Sequence, residues 1–170
     1  MATSLEQVSG AIAGGLFGSF SGFLSNNVHR WLQDRRARRS IACALIGELG
    51  SLRDRIDGSY LPMLREGLKA LRACEHAPTH HFRGERDYSP IFHSLGHQVG
   101  VLPEPLPKDL VGWYMGLAIC LESVRELHTL AIDDRPETLA RALSIAEFQH
   151  RRFHDLVAAS APLIARLSRL

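Results

Sequence analysis

Nine histidines in a chain of 170 residues are the feature that most invites chemistry. A transition metal needs several imidazoles or carboxylates on one surface, and an i, i+4 spacing on a helix supplies two of them one turn apart. His93 with His97 and His150 with His154 have that spacing, and Glu147 lies one turn before His150, so Glu147, His150 and His154 share a face. A di-iron carboxylate site asks for two Glu-x-x-His motifs, and only Glu147 with His150 supplies one. HExxH is absent, which removes the zincin pattern. The expectation is therefore no metal, with His93, His97, Glu147, His150 and His154 as the candidates if one binds. On this reading His93 and His150 are packing residues, and His76, His80 and His81 face solvent in a polar loop.

Other chemistry finds less support. Glu48, Glu66, Glu122, Glu126 and Glu147 fall in helical runs with an arginine near each, the pattern of surface ion pairs. No serine occupies a nucleophile elbow and no cysteine has a neighbouring base. Cys43, Cys74 and Cys120 are widely spaced in apolar runs, which predicts buried, reduced thiols. Trp113 and Tyr114 read as core anchors. No catalytic residue and no cofactor is assigned, and a non-enzyme is expected.

The elements that position these residues are helices. Ile41, Leu45, Leu49, Leu52 and Ile56 form a stripe at helical spacing that Gly58 is expected to close, and Leu61, Leu64, Leu68 and Leu71 form a second. The short gap between them predicts an antiparallel hairpin. Glu75 to Asp87 is a polar loop. Ser89 and Pro90 are the expected N-cap and first residue of a short helix through His97, stopped by Gly100. After the extended run VLPEPLP, a third long helix carries Leu110, Tyr114, Leu117, Leu121 and Val124 to about Leu130. Asp134, Pro136 and Glu137 open a fourth, which Pro162 is expected to kink or shorten. The fold class is all-α: an N-terminal transmembrane helix followed by a four-helix-type cytoplasmic bundle.

The N-terminal assignment rests on charge. Gln7 to Val28 are 22 residues without a charge, about 33 Å of helix, against a hydrocarbon core of about 30 Å. Arg30, Arg35, Arg36, Arg38 and Arg39 follow with Asp34 alone opposing them, while residues 40 to 170 sit near −1. The net +2 is thus a local belt, and nucleic acid loses its electrostatic support as a partner. Positive residues stay cytoplasmic, so the N-terminus is expected outside a bacterial inner membrane and the C-terminal part in the cytoplasm. With no basic residue before the apolar run, the segment reads as an uncleaved anchor. The belt, with Trp31 at the junction, fits a membrane surface. Gly10, Gly14, Gly18 and Gly22 recur every four residues, a glycine-zipper-like face along which helices approach closely and form a homo-oligomer. The organisation expected is an anchor over 1–29, a basic juxtamembrane segment over 30–40 and a helical bundle over 41–170.

Tyr88, Pro90 and Phe92, then Gly100 and Leu102, then Tyr114, set in a central segment of about a quarter of the chain, resemble the pattern of a group of bacterial single-pass membrane proteins. In that group an N-terminal membrane helix and an arginine-rich junction precede a cytoplasmic helical domain, and no activity is established. The resemblance implies topology rather than chemistry. The expected function is a membrane-anchored interaction, scaffold or regulatory module whose partners are the bilayer, further copies of itself and a protein of unspecified identity. The alternative is an oligomeric membrane-active or pore-forming effector assembled through the glycine face.

Overall fold

The computed structural model describes residues 3–73, 88–130 and 135–170, with side chains from Val28 onward except that of His128. The described residues are all-helical: α1 Thr3–Arg55, a π-helical turn Ile56–Tyr60, α2 Leu61–Arg72, α3 Pro90–Leu95, a 3₁₀ turn Gly96–Val101, α4 Leu106–Leu130 and α5 Pro136–Leu167. The chain divides into two compact units, Met1–Ser40 and Ile41–Leu170. Among the described residues no helix is long and apolar enough to cross a membrane. The anchor expected over 1–29 and the face formed by Gly10, Gly14, Gly18 and Gly22 fall, up to residue 27, on positions whose side chains lie outside the described ones.

The second unit is a helical bundle. Four helices of 12 residues or more contribute to it, but α1 and α2 are laid end to end and not folded into the expected hairpin. Arg55, Tyr60 and Leu61 all keep right-handed helical dihedrals, and the Leu61 N–H donates to the Ile56 carbonyl, five residues back. The cause is Pro62. In an unbroken α-helix its ring would press on the Gly58 carbonyl and its missing N–H would leave that carbonyl unpaired. A π turn one residue earlier widens the helix at that point and lets it continue. Gly58 therefore sits inside a helical segment and does not end one.

The π turn also keeps the apolar stripe in phase. At about 100° per residue, Leu64 would stand about 80° from Ile56 in a regular α-helix. One residue absorbed in the π turn cuts the offset to about 20°, and Ile56, Tyr60, Leu61, Leu64, Leu68 and Leu71 are all buried. The N-terminal stripe from Ile41 to Leu52 is buried as well.

Paired side chains fix the packing directions. Asp109 meets Arg166, Trp113 meets Leu156 and Glu126 meets Arg141, so α4 and α5 are antiparallel. Arg72 meets Glu147 and Tyr60 stacks on Phe153 with ring centroids 5.5 Å apart, so α5 also runs against α2. Glu48 meets Tyr114 while Leu68 and Leu71 cluster with Leu127 and Leu130, so α4 runs parallel to the α1–α2 rod. The parallel pairing follows from the long connection from Ala73 to Leu106, which returns the chain to its starting end before α4 begins. Phe153 is fully buried at the centre of the bundle.

Pro162 lies inside α5, which continues past it to Leu167. Pro136 is in the first turn of α5 as expected, behind Arg135, and Asp134 lies outside the described residues. Cys120 is buried and free, but Cys43 is exposed: it points away from the stripe that Ala42 and Leu45 bury. Cys74 lies outside the described residues.

Candidate functional site

The expected surface ion pairs hold for four of the five glutamates. Glu66 pairs with Lys69, Glu122 with Arg125, Glu126 with Arg141 and Glu147 with Arg72. Glu48 departs from the expectation: it is 6% exposed and has no cationic partner among the described residues. Its Oε1 accepts the Ile91 backbone N–H at 2.8 Å, and its Oε2 accepts the Phe92 N–H at 3.0 Å and the Tyr114 hydroxyl at 2.6 Å.

This arrangement explains the start of α3. Pro90 brings no N–H, and Ser89, the expected cap, makes no side-chain capping bond there. The next two N–H groups, which no earlier turn can satisfy, are instead taken by a carboxylate from another helix. A buried carboxylate with three donors is compensated without a counter-ion, because charge-assisted hydrogen bonds are the stronger kind. The Phe92 ring stacks on Tyr114 with centroids 3.9 Å apart, and Trp113 meets Tyr114 edge-on. Tyr88, Pro90, Phe92 and Tyr114, four of the six residues of the central sequence pattern, thus meet around Glu48, a residue that pattern does not include. Burial first, then the Glu48 hydrogen bond and charge, push the Tyr114 phenol far above its ordinary range. The site holds three helices at one corner. Both Glu48 oxygens are engaged, and the Tyr114 phenol stays neutral near neutral pH.

Trp113 is a core anchor, as expected, and its indole N–H donates to the Leu156 carbonyl at 2.9 Å. Beside it, between α4 and α5, runs a groove of about 550 Å³ lined by Gly112, Trp113 and Pro162 and flanked by Lys108, Arg152 and Arg166. Gly112 leaves it open, with nothing within 4 Å of where a Cβ would stand, whereas a Cβ at Gly116 would meet Leu156 Cδ2 at 3.2 Å. Asp109 neutralises Arg166 at its rim with a 2.6 Å ion pair.

The metal candidates do not converge. His93 and His97 fall on different elements, one on α3 and the other on the 3₁₀ turn, which breaks the i, i+4 geometry. Both are exposed, and His97 Nε2 is bonded to Gln98 at 2.9 Å. His150 and His154 do stand together, rings edge to face at 4.8 Å, but Glu147 is engaged by Arg72. Among the described residues no group of three or more potential ligands is assembled. Burial first, then His154, Arg65 and Arg72, lower the affinity of His150 for a proton.

The belt residues Arg30, Trp31, Arg35, Arg36, Arg38 and Arg39 all lie on α1, and every residue from Val28 to Ser40 is exposed. The Arg35 guanidinium stands over the Trp31 ring at 5.5 Å. At about 100° per residue the five arginines take positions around the whole helix, with no gap wider than about 120°. They form a collar and not a one-sided stripe. Comparison of the chain with family models, with curated proteins and with solved structures yields no match.

Proposed function

We propose that this protein is a membrane-attached, non-enzymatic helical module whose bundle over residues 41–170 is held on the cytoplasmic face of a bilayer by the segment before the collar. The observation that carries the reading is the distribution of charge on α1. A helix lying in the membrane plane sorts charge to one side and apolar residues to the other. On α1 the change runs along the axis, from 22 uncharged residues to a collar of arginines with exposed Val28, Trp31 and Leu32 among them. That is the order expected of a helix whose axis passes through the interface, with arginines reaching headgroups on every side. The bundle's buried carboxylate and aromatic corner serve rigidity, which suits a scaffold or interaction module. Extraction of membranes with alkaline carbonate, followed by protease treatment of sealed inside-out vesicles, tests this. The expected result is a chain that resists extraction and a C-terminal part that is digested from outside those vesicles. Release by carbonate or protection of the C-terminal part would overturn the proposal.

The four-residue recurrence of Gly10, Gly14, Gly18 and Gly22 favours a second reading, an oligomeric membrane-active effector. Under that reading Gly14→Leu with Gly18→Leu abolishes both the oligomer and any membrane conductance; unchanged conductance would dismiss it.

A further inference from the structure

We infer that a second copy of this chain packs antiparallel across the outward face of α4, with Met115 on the two-fold axis. From Leu110 to Leu121, α4 reads LVGWYMGLAICL, twelve residues without a charge. A helix apolar all round is normally covered all round. Here the core covers Leu110, Tyr114, Leu117 and Leu121, yet Val111, Met115 and Ile119 stand 44%, 59% and 53% exposed, in steps of four along one line. That concentration differs from the scattered single apolar residues that any surface carries.

The occupant follows from the symmetry of the face itself. A two-fold contact places the same patch on both partners, so each residue must tolerate the one equally far from the axis on the other side. About Met115, Val111 opposes Ile119, apolar against apolar. Gly112 opposes Ala118, both exposed and both small enough to let two helix backbones approach. Lys108 opposes Glu122, cation against anion, at both ends of the contact. Among the described residues Lys108 has no ion pair, and Glu122, 74% exposed, is bonded only to Arg125 on its own helix. A parallel arrangement would instead set Lys108 against Lys108 and Glu122 against Glu122. Charge complementarity therefore selects both the partner and the direction. Glu126, next along the same face, is already held by Arg141. One helix face is smaller than the roughly 800 Å² per partner of a standard interface, so the dimer is a weak one, strengthened wherever the chains are concentrated. Because α4 runs parallel to the α1–α2 rod, antiparallel α4 helices set the rods over residues 41–71 of the two copies in opposite directions. The pairing is therefore inferred for chains that are not anchored side by side in one bilayer, and it requires no membrane attachment.

The test is sedimentation of the full chain in mild detergent, over a concentration series, with Gly14→Leu and Gly18→Leu present throughout so that association through α1 is not counted. The expected result is a monomer–dimer equilibrium that Met115→Glu weakens at least about tenfold. Lys108→Glu and Glu122→Lys each weaken it, and the two together restore it. Because all three positions are exposed, the far-ultraviolet circular dichroism of each variant should match that of the parent. In a chain with Cys43→Ser and Cys74→Ser, Met115→Cys should join to its counterpart on mild oxidation, as only a residue on the axis can. A chain that is monomeric throughout, with the face left bare or covered by its own residues 74–87, would overturn the inference. So would a dimer that Met115→Glu leaves unchanged, or a charge reversal that the double exchange fails to rescue.

Discussion

Glu48 shows how much a single side chain can organise. The carboxylate lies on α1, yet its three bonds go to α3 and α4, at positions 43, 44 and 66 residues further along. Replacing it with alanine leaves two backbone N–H groups and a phenol buried without an acceptor. Glu48→Ala is therefore expected to cost about 3 kcal/mol, and Tyr114→Phe, which removes one donor and leaves the other two, about 1 kcal/mol. Chemical denaturation with the two variants in parallel checks the order. The same corner sets a pH limit. Burial and the neighbouring Tyr88 raise the Tyr60 phenol to about 12, and burial with Glu48 raises Tyr114 further still. A phenol whose pKa is raised on folding contributes stability that is complete below pH 10 and is lost as the pH climbs through the folded value. Absorbance near 295 nm should accordingly show Tyr60 and Tyr114 refusing to ionise at pH 11, with unfolding accompanying their titration; free ionisation of all three tyrosines near pH 10 would contradict this. Glu48 stands three residues after Leu45 and four before Leu52, at the edge of the buried stripe, but a glutamate in a helical run reads by residue type as a surface group, and nothing in its own neighbourhood names its partners. Only the folded path of α3 brings its real partners to it.

At the scale of elements, what was legible was periodicity and what was not was continuity. The stripes of α1, α2 and α4, the end of α4 at Leu130 and the opening of α5 at Pro136 follow from apolar spacing and proline position, whereas α4 begins at Leu106, inside the run VLPEPLP expected to be extended. The break in the stripe between Ile56 and Leu61, beside Gly58, has two physical explanations, a turn that reverses the chain into the expected hairpin or a π turn that carries it forward. Pro62 admits both, since proline opens a new helix as readily as it disrupts an old one. Tertiary packing decides, because only the straight path sets Tyr60 on Phe153 and Arg72 on Glu147. The two explanations predict opposite effects of one substitution. Gly58 is helical, and a Cβ there meets nothing within 4 Å, so Gly58→Ala should raise stability by about 0.5–1 kcal/mol. In a reversing turn dependent on glycine it would lower it. The midpoint of urea unfolding distinguishes the two outcomes. Pro162 gives a similar lesson: a proline far along a helix packed on two neighbours is carried by the packing.

At the scale of the whole molecule, a bundle whose buried Glu48 is fully bonded is joined to a helix whose chemistry changes along its length. Composition alone conceals this, because a near-neutral total averages a +4 belt with a bundle near −1. The bundle's own surface then offers one conspicuous apolar line, on α4, which pairing with a second copy would cover. The central claim remains the collar: we propose that Arg30 to Arg39 ring a helix at the level where it leaves a bilayer, with Trp31 among the headgroups. The chain has two tryptophans, and Trp113 is buried, so Trp113→Phe leaves Trp31 as the sole reporter. The direct measurement is the fluorescence of that variant, reconstituted in vesicles containing anionic lipid, with quenchers attached at different depths along the acyl chains. The account predicts a blue-shifted emission quenched most by the shallowest label; an emission as red as that of tryptophan in water, and insensitive to every quencher, would contradict it.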